Sequence, residues 1–571
     1  MLLAMVASLA IVVSDHASVR STPRSAATEL TTLWQGDLVE IRGEQAEYLK
    51  VYSYRRERGG YLRNEAVRKV GLSEADAPEL LAVMRFLRDT PGSEALGISY
   101  GAAYLKAVSP RAMTSEAFDA IGQMAERLAD TASGRGAPAT SVSARLEVVS
   151  QFGVRMRSFE RNGRMQVCYD GELFRSVLTR AGSTADQRAR AVLALTRADC
   201  VEPDTSLTAR AALDEERRDL LEAVQDANLT PVMRSRLRAR RAAVWSAITF
   251  AQARHGQPVL PAAQRALAEL TAVHAADLGE TYQSEYADAV LRVSAIRWAT
   301  AQGAVGSQSP AAPPLQTPTR VATTAVPLTQ TPLRAGADNQ PSPAGLAVAA
   351  PLMQTPVRTA VTPVPLTQTP VRTAVTPVPL TQTPLRAGAD NQPSPAGLAV
   401  AAASMLVPGG SFTLSTTAGA EPGQTCLTLE DSRPQRPKAT LAHRCTFGII
   451  WLASAQTIPQ TQALVLSVQP LESWRELWVF HQIGAKWLVD VISPGLDEPD
   501  EGYVEYAGFA PGTSRILLVR EVKERNRFRR WFEEVRLDDL VLVRQASTPE
   551  LLRDFGRWQD VRWRRDTLAF R

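Results

Sequence analysis

Few residue types in this chain are placed for chemistry. The string GISYG, Gly97 to Gly101, has the G-x-S-x-G form in which a serine nucleophile is exposed at a sharp turn from strand to helix. Here DTPGSEAL leads up to it and GAAYLKA follows Ser99, so the context is helical, and the small residues are read as close helix packing. A serine acting there would need His255 or His274 as its base, and nothing in the sequence fixes their distance from it. The four cysteines fall into two local groups, which predicts disulfides Cys168 to Cys200 and Cys426 to Cys445. Zinc is not expected, because there is no C-x-x-C and only His443 lies near a cysteine pair. H-E-x-x-H, P-loop and G-x-G-x-x-G motifs are absent and the chain has 5 histidines, so neither a cofactor nor a metal nor a reaction is expected.

Charge points the same way. Lys and Arg total 64 against 59 Asp and Glu, a net charge of +5 over 571 residues, which does not call for a polyanion. MRSRLRARR, Met233 to Arg241, reads as a solvated helical face paired with the acids of DEERRDLLE, Asp214 to Glu222. RNRFRRWFEEVR and RWQDVRWRRD mix basic and aromatic residues, as single-strand binders do. Alternation along exposed strands yields the same pattern, so no nucleic-acid partner is expected.

Five segments organise the chain into a multidomain α+β protein. Residues 1–16 carry an apolar run, Met1 to Val13, like the hydrophobic region of a secretory signal and shorter than the roughly 20 residues that cross a bilayer. The alternative is a plain buried strand. Residues 17–70 alternate short β-runs with turn signals, and strands this short need a barrel to bury both ends. Residues 72–302 are mostly helical. Thr230 and Pro231 open a helix with the stripe Met233, Leu237, Val244 and Ile248, and Asn162 and Gly163 mark a single β-hairpin. Residues 303–404 hold 18 of the 37 prolines with no aromatic, Lys, Glu or Cys, a composition unable to bury a core and expected to be a disordered, dispensable spacer. It is duplicated: VPLTQTPLRAGADNQPSPAGLAVAA starts at Val326 and again at Val378. The domains on either side are expected to act independently. Residues 405–571 are β-rich and contain 7 of the 10 tryptophans, read mainly as packing. Within them GFAPGTSRILLV resembles the opening of a blade in TolB-type β-propellers; a sandwich or half-open sheet fits equally. No segment is expected to span a membrane.

VRSTP at Val19 to Pro23, LWQGDLVEIRG at Leu33 to Gly43, YLKV at Tyr48 to Val51 and GGYL at Gly59 to Leu62 resemble the bacterial SH3 domain. That resemblance implies a small barrel whose aromatic mouth takes cell-wall material or a peptide. The rings available are Trp34, Tyr48, Tyr52, Tyr54 and Tyr61. The basic hairpin RRER beside Tyr54 favours an acidic ligand, such as a peptidoglycan stem peptide. The expected function is a periplasmic or secreted binding or scaffolding protein of the cell envelope. Two other readings are a hydrolase of an envelope polymer using the helical domain and a cytosolic regulatory protein.

Overall fold

The computed structural model describes residues 8–134, 139–161, 163–301, 403–409, 411–433, 439–495, 501–524 and 527–566. Asn162 and all of the repeat spacer but Ala403 and Ser404 lie outside these residues.

Seven strands form the N-terminal sheet: β1 (Ser8–Val12), β2 (His16–Arg20), β3 (Glu29–Trp34), β4 (Leu38–Gln45), β5 (Tyr48–Ser53), β6 (Arg58–Arg63) and β7 (Val67–Val70). Their order is β3-β2-β6-β5-β4-β1-β7, with every pairing antiparallel. All seven strands contribute to one core that includes Ala10, Val12, Val19, Leu33, Val39, Leu49, Val51, Leu62 and Val67, so the sheet curls around it.

The apolar run expected to belong to a leader is, from Ser8, strand β1. Ala10 and Val12 face the core of the sheet, whereas Ile11 between them enters the core of the neighbouring helices. A strand buried on both faces reads as an unbroken apolar run, which composition cannot separate from a signal's hydrophobic region. The β domain therefore starts before residue 17.

The middle region comprises α1 (Ala77–Arg88), α2 (Glu94–Ala107), α3 (Ser115–Ser133), α4 (Ala139–Ser150), a hairpin of β8 (Met156–Arg161) and β9 (Arg164–Tyr169), α5 (Glu172–Thr179), α6 (Ala185–Leu195), α7 (Leu207–Glu222), α8 (Pro231–Arg254), α9 (Leu260–Thr271) and α10 (Gly279–Ala295). Cys168 on β9 is bonded to Cys200, which staples the hairpin to the turn after α6. Helix α8 buries Met233, Leu237, Val244 and Ile248 together, as its periodicity requires.

The C-terminal region packs two sheets around one core. One is β10 (Ala403–Leu406), β11 (Phe412–Ala418), β12 (Thr425–Asp431) and β13 (Thr440–Thr446) in that order. The other runs β14 (Ile449–Thr457), β15 (Leu464–Leu471), β16 (Trp474–Ile483), β18 (Gly502–Ala510), β19 (Arg515–Glu524), β20 (Arg527–Arg536) and β21 (Leu542–Ala546), with β17 (Lys486–Ile492) also paired to β16. Phe412, Leu414, Leu427 and Leu429 of the first sheet meet Leu464, Leu466, Trp478 and Phe480 of the second, a sandwich packing. Cys426 and Cys445 are register partners on β12 and β13 and form the second disulfide. Short helices α11 (Arg553–Trp558) and α12 (Val561–Asp566) follow, and Phe555 and Trp563 pack around Phe532 on the sheet.

The helical and sandwich regions are not independent, contrary to the expectation from the spacer. Trp451 of β14 sits fully buried in the helical core with Phe250, Val290 and Ile296. Arg292 on α10 reaches Asp288 (2.9 Å), Glu472 (2.7 Å) and Glu501 (2.9 Å), and Lys523 closes on Glu501 at 2.6 Å. Arg475, 0% exposed, donates to Ser294 O at 2.5 Å and pairs with Glu505, which also takes Arg297 at 3.0 Å. The Trp298 ring lies between the guanidinium groups of Arg297 (4.4 Å) and Arg562 (4.8 Å). A flexible connection adds only about 0.6 kcal/mol of closure cost per doubling of its length, so a spacer of about 100 residues does not prevent such docking.

Candidate ligand-binding face of the N-terminal sheet

Alternation on β5 decides which rings are available. Leu49 and Val51 point into the core that the sheet curls around, so Tyr48, Lys50 and Tyr52 point to the other side. Register places Tyr61 opposite Lys50, Arg63 opposite Tyr48 and Glu40 opposite Tyr52. Four of the five expected aromatics thus belong to the outer side of one three-stranded patch or its following turn, together with Arg42, Lys50 and Arg63. Tyr54, 66% exposed, meets Tyr52 edge to face at 5.1 Å between centroids. The Arg42 guanidinium lies 4.0 Å from the Tyr52 centroid. Hydrogen bonds from Arg42 (2.9 Å) and Tyr54 (3.0 Å) hold the Glu40 carboxyl below its ordinary range. Tyr48 is only 6% exposed, with Arg63 5.8 Å from its centroid, and Tyr61 is half-buried. Arg42 and Arg63 went unnoticed among the aromatics, although the same period-2 alternation places them on this side.

Trp34 goes elsewhere. It packs against the core of α1, α2 and α3 and near His16, with 6.1 Å between ring centroids. The basic hairpin is also partly engaged by the chain itself. Arg55 makes a two-pronged contact with the buried Asp37 (2.8 and 2.7 Å) and reaches Glu147 on α4 at 2.7 Å, and Arg56 meets Glu147 at 2.9 Å. The Gly-Asp pair in LWQGDLVEIRG is therefore structural. Asp37 also accepts from Trp34 N at 2.8 Å, and Gly36, with φ of 95°, sits where a Cβ would lie 2.7 Å from Ala95 O on α2.

Ser99 faces this same contact. It is 1% exposed, and its hydroxyl lies 2.6 Å from Gly36 O and 2.8 Å from Ala95 O. The small residues beside it, Gly97 and Gly101, let Met124 and Ile121 of α3 approach the α2 backbone. GISYG is thus a packing surface inside a helix, as its context implied. His255 and His274 lie after α8 and before α10, away from this core.

The arginine run of α8 is paired, as expected, but it is not a solvated face and its partners differ. Arg236 meets Glu285 at 2.8 Å, Arg238 and Arg241 both meet Asp226 (2.9 and 2.8 Å), and Arg240 donates to Leu193 O at 2.9 Å. Helix α8 runs through the middle of the domain, so it is covered by α7, α9 and α10 around its circumference. Basic residues of the C-terminal stretches are likewise engaged: Arg530 with Glu521 (3.0 Å), and Arg562 with Ala453 O (2.7 Å). Cys426, His443 and Cys445 cluster with ligand-like spacing, but the two sulfurs are joined to each other and offer no thiolate to a metal. Among the described residues, no helix is long and apolar enough to cross a membrane.

Comparison of the chain with protein-family models, curated proteins and solved structures found no match.

Proposed function

We propose that this protein is a binding or scaffolding component of the cell envelope, and that the outer face of β4, β5 and β6 is its ligand surface, used as bacterial SH3 domains use theirs. The observation that carries the reading is the grouping of Tyr52, Tyr54 and Arg42, with one ring largely uncovered and a cation stacked on the other. Flat rings beside fixed cations suit sugar rings or an extended peptide with acidic groups. Cell-wall peptidoglycan and its stem peptides have that chemistry. Two disulfides that leave no free thiol among the four cysteines suit an oxidising compartment.

The test uses the full chain, because a fragment of residues 15–71 would lack β1 and the Glu147 contacts. Full-length protein is expected to pellet with purified cell wall, and the double variant Tyr52→Ala, Tyr54→Ala to lose roughly tenfold in affinity with its fold retained by circular dichroism. Failure of the native protein to pellet, or equal pelleting of the variant, would remove the proposal.

A further inference from the structure

We infer that the cleft beside the Cys168–Cys200 disulfide is a second binding site, for a small organic carboxylate with an apolar body. The cleft has a volume of about 270 Å³, slightly below the usual range for drug-sized ligands, so its occupant is small. Five elements converge on it: α3, the β8–β9 hairpin, α5, the end of α6 and α7. Tyr169, Phe174, Leu195 and Leu213 supply an apolar wall.

The charges lining the cleft are unequal in how far they are already used. Glu126 pairs with Arg197 at 3.1 Å, and burial, the largest influence, pushes its carboxyl up towards the neutral form. Asp170 faces Arg155 at 3.9 Å and accepts from Glu172 N at 3.2 Å. Arg217 is spent on Asp214 (2.6 Å) and Thr196 O. Arg157 and Arg175, both exposed, are used least. Arg157 has no acidic partner among the described residues; the nearest carboxylate to Arg175 is Glu172 at 4.0 Å, and its Nη1 donates to Asp170 O at 2.8 Å, which leaves its other N–H groups for a ligand. The remaining lining acid is Glu202 on the exposed rim. Two guanidinium groups with no carboxylate closer than 4.0 Å, lining the same cleft as an apolar wall, match a carboxylate that can take charge-assisted hydrogen bonds while its body covers Tyr169 and Leu213. This site shares no residue with the tyrosine face, so either proposal can fail without the other.

Calorimetric titration of the full-length, disulfide-intact protein tests it with three probes. N-acetylleucine, a carboxylate with a branched apolar body, is expected to bind saturably. N-acetylleucinamide, the same shape without the charge, should bind at least about tenfold more weakly. A tetrapeptide ending in a free leucine tells the two sources of such a carboxylate apart: binding equal to that of N-acetylleucine indicates a polypeptide C-terminus, and weaker binding a free metabolite. Arg157→Ala with Arg175→Ala should cost the carboxylate at least about tenfold and leave the amide unchanged. Leu213→Trp, which fills the cleft without altering charge, should abolish binding. No saturable binding of either carboxylate at millimolar concentration, equal affinity for the amide, or unchanged binding by both variants would overturn the inference.

Discussion

The helical region makes two junctions, and they are built differently. The N-terminal sheet precedes it, joined by a short connection from Val70 to Ala77, and docks mainly through apolar side chains, with Ile11, Trp34, Leu38 and Val70 entering the core of α1, α2 and α3. Its polar contacts are few and lie mostly at the edge: Ser99 with Gly36 O, Arg55 and Arg56 with Glu147, and Arg145 with Asp15 at 3.7 Å. The sandwich arrives across the spacer and brings buried charges: Glu501 and Glu505 meet Arg292 and Arg297, and Arg475 meets Ser294 O. A short tether limits the arrangements that two domains can sample, so apolar contact alone can select one. A long tether permits many. Buried charges then discriminate, because a misplaced docking would leave an ion desolvated and unpaired at a cost of several kcal/mol.

The largest expected effect comes from removing one of those ions. Arg475→Ala leaves Glu505 with Arg297 as its one close cation beside the Trp563 indole N–H and removes the donor to Ser294 O, and should destabilise the protein by about 3–5 kcal/mol. Urea denaturation followed by tryptophan fluorescence reads this, since 7 of the 10 tryptophans are in residues 405–571. A loss under about 1 kcal/mol would mean that the charges do not hold this junction.

Acid should separate the two junctions. Burial raises the Asp288 carboxyl, but Arg292 and Lys523 outweigh it and hold the group well below its ordinary range. Glu505 is also lowered, with Arg297 and Arg475 overcoming burial. Groups depressed in the folded state stabilise it above their unfolded values near about 4, and that contribution is lost as pH falls through the lower folded values. Glu501, raised by burial and then by Asp288, has the opposite sign: its contribution is present at low pH and lost as pH rises through its raised value. Asp288 and Glu505 together should dominate, so hydrogen exchange around Ser294 is expected to quicken below about pH 4 before exchange around Gly36 does. Simultaneous quickening would sink the contrast.

Shortening the tether is a smaller perturbation of opposite sign. Replacing residues 302–402 with about 25 flexible residues halves the loop twice, and should stabilise the docked form by about 1 kcal/mol. The replacement must stop at residue 402, because Ala403 and Ser404 pair with Thr416 and Ser415 in the sandwich. A marked destabilisation in the same denaturation assay would show that the spacer contributes contacts of its own. The smallest effect is expected at the other junction, where Ser99→Ala removes one buried hydrogen bond worth roughly 0.5–1 kcal/mol and leaves the apolar contact intact.

Local chemistry was legible in advance. The turn at Gly163 and the proline-opened helix α8 with its four-residue stripe depend on residues close in sequence, the disulfides join cysteines within one folded region, and the packing role of GISYG follows from its helical context; each is present. The outward placement of Tyr48 and Tyr52 followed from period-2 alternation around Leu49 and Val51, whereas strand register and the turn after β5 bring Tyr61 and Tyr54 beside them. Trp34 did not, since an aromatic at a strand end carries no mark of whether a ligand or a neighbouring domain will cover it.

The sequence by itself determined the division into a β-rich N-terminal part, helices, spacer and a β-rich C-terminal part, because composition and periodicity act within a few turns or strands. Tertiary structure alone decided that Ser8–Val12 is a strand shared by two cores, that the arginines of α8 are internal, and that the sandwich returns across the spacer to the helices. Each of these depends on a partner far along the chain: Arg292 finds Glu501 and Arg475 finds Ser294 O only once both folds exist. Pairing energy of that kind leaves no periodic trace in either segment, since a buried ion and a solvated one are written with the same residue.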